Sequence, residues 1–163
     1  MANETTVKKL PSRSELPVED TWRLEDIFSS DDEWEKEFQE VKSLIPGVKQ
    51  YEGRLGESAD LLYEALQKQD QLLERLGKLY AYSHMRYDQD TTNSYYQGLD
   101  DRMKNLYSQA SSHLAYIVPE LLAIDEAKIK EFLAEKQELK LYEHSLEEIN
   151  LQRPHVLTAE MEA

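Results

Sequence analysis

Cysteine is absent from the sequence. That excludes disulfides, thiol catalysis and Cys-ligated zinc or iron–sulfur sites. Only 5 glycines are spread over 163 residues, too few for a glycine-cradled phosphate site or a turn-rich β fold. Neither a Gly-x-Gly-x-x-Gly nor a Gly-x-x-x-x-Gly-Lys pattern occurs. Runs of about 18 apolar residues are missing as well, so no transmembrane helix is expected. The polar stretch Met1–Pro11 lacks the apolar core of a secretory signal. Positive charge is scarce: 19 Lys and Arg face 33 Asp and Glu, for a formal net charge of −14. Such a chain repels phosphates and has no basic cluster to offset the repulsion, so nucleic acid is not an expected partner. Zero cysteine and no leader fit a cytoplasmic protein.

What the sequence does contain is helical patterning. Charged residues make up 32% and hydrophobic residues 40%, a balance that suits helices with wide solvated faces. Ser30 and Glu33 have capping-box spacing, and Trp34, Phe38, Val41 and Ile45 then form one apolar stripe up to Pro46-Gly47. Ser58 caps a second, long helix with Leu62, Leu66, Gln69, Leu73, Leu76, Tyr80, Ser83 and Tyr87 in line, widened by Leu72 and Leu79. After the break at residues 88–93, a third helix carries Tyr96, Leu99, Met103, Leu106, Ala110, Leu114 and Ile117, up to a kink or restart at Pro119. A short helix over Ile129–Leu133 is capped by Asp125, and another spans about Glu138 to Gln152 with Leu139, Tyr142, Leu146 and Ile149 inward. The expected fold is all-α: a long antiparallel helical hairpin with additional shorter packing helices. Residues 1–20 read as an extended or disordered arm, with the rings of Trp22–Phe28 docking on the body. Residues 21–157 read as one helical domain. At Thr158, after Arg153-Pro154-His155, a new helix starts only to stop at Ala163, which reads as a fragment of a longer chain.

Candidate chemistry is thin. The four histidines are His84, His113, His144 and His155. His144 and Glu147 share a helix face at i, i+3, a spacing two metal ligands can use, but a surface pair is the simpler account. His84 and His113 lie on the two long helices, where the hairpin could bring them together. Asp88, Asp90 and Asn93 resemble an ion loop, yet Asn93 and Leu99 occupy positions where a calcium loop needs Gly and Glu. Cap chemistry, from Asp90, Thr91 or Thr92, explains the segment better. Tyrosine is over-used, with 10 against 3 Phe and 2 Trp, and several flank the hairpin turn. Such rings suit either a core rim or a peptide-binding wall. No Ser–His–Asp order and no His-Glu-x-x-His is present, so no catalytic, cofactor-binding or metal residue is assigned.

Thr21-Trp22-Arg23-Leu24-Glu25-Asp26-Ile27-Phe28 and Asp32-Glu33-Trp34 resemble the opening of oligoendopeptidase F. Tyr80-Ala81-Tyr82-Ser83-His84 leading to Asp88-Gln89-Asp90-Thr91-Thr92 is similar to a hairpin in that family's N-terminal region. Tyr142 and Arg153-Pro154-His155-Val156-Leu157-Thr158 continue the likeness in the same order. The resemblance implies a thimet-oligopeptidase-type zinc metallopeptidase that cuts short peptides in the cytoplasm. This part would be a helical lobe shaping the substrate channel. It further implies zinc held beyond this chain by His-Glu-x-x-His and a later Glu, whose motif Glu acts as general base. The 163 residues alone would then bind no zinc and be inactive, with oligopeptide substrates handled by the missing part. Self-association of a severed lobe is a further expectation. The rival expectation is a self-contained acidic helical protein-interaction module.

Overall fold

In a computed structural model, which describes Pro11 and residues 13–155, every regular element is helical. The expectations for Met1–Leu10 and for a helix opening at Thr158 lie outside the described residues. Helix α1 spans Asp31–Leu44, opened by Ser30, whose hydroxyl accepts from the Glu33 amide at 3.3 Å. Its stripe is inward as expected: Trp34 and Val41 are fully buried, with Phe38 and Ile45 close behind. The α-helix ends just before Pro46. Pro46 lies early in a 3-10 helix, Ile45–Tyr51, where its missing N–H is not needed.

Helices α2, Ala59–Gln89, and α3, Ser94–Leu114, form the antiparallel hairpin. Ser58 caps α2 through the Leu61 amide, whereas α3 is capped by Asn93, one residue past the expected candidates. Asp90 instead closes the turn, accepting from both the amide and the hydroxyl of Thr92. The stripe of α3 is the expected one, while that of α2 is rotated. Leu62, Leu66, Leu76 and Ser83 of the expected line are buried, as are Leu72 and Leu79 beside it; Ala65 and Tyr82 join them, while Leu73 and Tyr80 stand exposed.

Pro119 sits in the first turn of α4, Ile117–Ala123, so α3 ends and restarts rather than bending. Helix α5 covers Glu126–Glu135, capped by Asp125. The single helix expected over 138–152 is divided into a 3-10 helix, Gln137–Tyr142, and α6, Glu143–Leu151. A spacing of three between Leu139 and Tyr142 satisfies either helix type, so periodicity could not separate them. At the other end, Leu24 is buried in the 3-10 turn Leu24–Asp26, and Phe28 meets Tyr82 edge-on at 5.6 Å. Trp22 does not dock: it is 75% exposed. One apolar cluster runs from Leu24 to Leu146 through all six α-helices.

Candidate functional site

The hairpin crossing holds the most enclosed charge among the described residues. Asp100 falls one residue after Leu99 and three before Met103, which brings a carboxylate to the edge of a buried stripe. It is 2% exposed. Two side chains meet it: Lys104 Nζ at 2.6 Å, one helical turn on, and His84 Nδ1 at 3.0 Å from α2. Burial by itself would raise the Asp100 carboxyl, but the hydrogen bonds from Lys104 and His84 outweigh it and hold it below the usual range. His84 Nε2 lies 3.6 Å from Asp88, and Tyr80 stacks on the ring at 5.0 Å.

At the tip, the arm and the hairpin share a second cluster. Tyr82 donates to Asp31 at 2.8 Å, and Tyr96 reaches the other oxygen of the same carboxylate at 3.5 Å. Burial, together with the carboxylate acceptor, pushes the Tyr82 phenol up to about 12. The Arg86 guanidinium lies over the rings of Tyr82 and Tyr96 at 5.1 and 5.8 Å and pairs with Glu25 of the arm at 3.2 Å. One flank of the hairpin is closed against α1 by similar means. Arg102 forks onto Glu35 with two bonds of 2.8 Å, over the faces of Phe38 and Trp34. Arg75 binds Glu37 and Glu40, and Trp34 Nε1 donates to the Leu79 carbonyl at 2.9 Å. Beside Arg75 opens a cleft of about 420 Å³, floored by Val48, Tyr51 and Leu72.

At the base, Glu120 of α4 accepts from the amides of Gly53 and Leu55, at 2.8 and 2.6 Å. Gly53 has φ +79°, the one position where the turn requires glycine. Tyr116 donates to the Val48 carbonyl, so one anchor ties α4 to the 3-10 helix and the other to the loop that follows it. The Arg153 guanidinium donates to the carbonyls of Leu122 and Ile124 at the end of α4, and to Asn150. Arg153 thus clamps the last carbonyls of a neighbouring helix.

The histidines do not converge. His84 belongs to Asp100 rather than to His113, which pairs with the Gln109 carbonyl of its own helix at 2.9 Å. His144 faces Glu148 at 3.5 Å, one residue beyond the expected Glu147, and both are open to solvent. The side chain of His155 lies outside the described set. Among the described residues no three or more His, Asp or Glu side chains converge as a metal site. The contacts of His84 among the described residues are to Asp100, Asp88 and the Tyr80 ring, none of them a hydroxyl or thiol nucleophile activated for hydrolysis. Asp100, Glu120 and Arg153 went unassigned in the sequence. Of these only Asp100 left a signal, a charge beside a buried stripe.

A family profile described as Oligopeptidase F matches residues 120–163. The chain is 60% identical over all its 163 residues to Oligopeptidase PepF of Bacillus subtilis, covering 24% of that protein. It is 35% identical over 147 residues to Group B oligopeptidase PepB of Streptococcus agalactiae, over 90% of this chain and 24% of that one. Among solved structures, oligoendopeptidase-F from Enterococcus faecium superposes with a TM-score of 0.72 at 29% identity, over 82% of this chain and 26% of that one. The chain therefore spans about a quarter of the length of the curated relatives it matches.

Proposed function

From a chain that matches the N-terminal part of oligoendopeptidase F peptidases, we infer that it serves as the helical lobe of a zinc metallopeptidase acting on short peptides in the cytoplasm. The carrying observation is the 60% identity over the whole chain to an oligopeptidase about four times as long. The described residues do not fit a zinc site, so the metal and the residues that activate water are proposed for the part of the protein outside this chain. What these residues do is structural. Glu120 fixes α4 to the loop before α2, Arg153 joins the end of α6 to the end of α4, and α1 stiffens one flank. A rigid wall of this kind restricts access to a channel and admits extended peptides in preference to folded proteins.

The test is to express the complete reading frame that contains this chain and compare it with the 163 residues alone. Cleavage of short peptides by the longer protein, abolished by a chelator and restored by zinc, is the expected result. The 163-residue chain should show neither cleavage nor stoichiometric zinc binding. A stop codon after Ala163, or an intact longer protein that leaves peptides uncut, overturns the reading and leaves the acidic interaction module in its place.

A further inference from the structure

Gly77 lies in the interior of α2, is exposed, and has no heavy atom within 4 Å of where a Cβ would stand. Its φ is not positive. Glycine weakens a helix interior relative to alanine, and nothing among the described residues needs the missing side chain. The surrounding surface is unusual for a long helix. Leu73 is 36% exposed and Tyr80 40%, on the same side of α2 as Gly77. In the antiparallel hairpin the His84–Asp100 contact puts residue 80 level with Lys104 and residue 77 level with Tyr107, itself 50% exposed. The shorter helices cover this flank only lower down, where Tyr142 binds Asp70 and Lys136 binds Asp60.

We propose that an amphipathic helix, from the part of the longer polypeptide outside this chain, packs across α2 and α3 at Gly77 between Leu73, Tyr80 and Tyr107. The inference rests on the proposed function in one respect, that such a remainder exists. Relatives about four times as long supply it. A helix fits better than an extended strand because this face is made of rings, an aliphatic side chain and helical backbone already hydrogen-bonded within α2. An extended segment would find few partners for its own N–H and C=O groups, whereas a helix brings its own. The bare glycine lets a helix backbone approach closely, which a β-carbon would hold off. Lys104 and His84, at the edge, already bond to Asp100, so the rim on that side is paired.

Hydroxyl-radical footprinting of Tyr80 and Tyr107 tests this, in the 163-residue chain and in the complete protein, with rates normalised to the unfolded chains. The expected result is a severalfold drop in reactivity at both rings in the complete protein only. Gly77→Leu should restore that reactivity there, while the 163-residue chain carrying it melts no lower than the parent. Equal reactivity in the two proteins overturns the proposal, as does protection that survives Gly77→Leu. So does protection of the 163-residue chain by added oligopeptide or by raised concentration, which would assign the face to substrate or to a second copy. Peptide cleavage, measured on the same samples, keeps the two readings apart: an active protein with open rings loses the docking helix alone, and protected rings without activity lose the peptidase alone.

Discussion

The two flanks of the hairpin differ although the same two helices build both. On the α1 side the large polar groups are tied to their neighbours: Trp34 reaches Leu79, Arg102 forks onto Glu35, Arg75 onto Glu37, and Arg86 lies over two rings with Glu25 beyond it. On the other side, above Asp70, stand Leu73, Gly77, Tyr80 and Tyr107 with half-open surfaces. The covered flank is where the lobe gains its stability. The bare one contributes little to it, and residues there answer to something other than the fold of these residues.

If that contrast holds, substitutions on the two flanks should part in size and then in sign. The largest effect is expected at Trp34, fully buried against Phe38: Trp34→Ala should cost about 3–5 kcal/mol in urea unfolding, through cavity and lost hydrogen bond. Next comes the crossing itself. Asp100→Asn leaves His84 and Lys104 without their buried anion and should cost roughly 1–3 kcal/mol. Because the Asp100 carboxyl is held below its ordinary value, its contribution is present above about pH 4 and is lost as pH falls through the lower folded-state value. A pH series of unfolding midpoints should therefore be steeper in acid for the parent chain than for Asp100→Asn. Parallel profiles would refute that role.

Smaller effects sharpen the contrast. Ser30→Ala removes the cap of α1 on the covered side and should cost about 1 kcal/mol. On the bare flank, Gly77→Ala should raise stability by about 0.5–1 kcal/mol in the 163-residue chain, since a β-carbon meets nothing there. Tyr107→Ser should change it by less than about 0.5 kcal/mol. A large loss at Tyr107 would mean that the flank is structural after all.

Much of the fold was legible because helices announce themselves locally. Ser30, Ser58 and Asp125 are caps where the sequence placed them, and the stripe from Leu99 to Ile117 is buried as spaced. The stripe of α2 was misread at Leu73 and Tyr80 because a 31-residue helix with leucines on several faces offers more than one apolar line. The neighbours, not the period, chose among them. Trp22 was misread for a like reason: an aromatic ring in an arm is apolar whether or not a surface is there to receive it.

The sequence by itself determined the helical class, the element order, most caps and the lack of a hydrolytic motif, because these depend on residues within a turn or two of one another. Only the tertiary structure decided that His84 meets Asp100 across 16 residues, that Glu120 holds the Gly53 turn across 67, and that Arg153 clamps the end of α4. Those contacts depend on how helices cross, and a crossing is set by the summed packing of distant side chains, which no local pattern records.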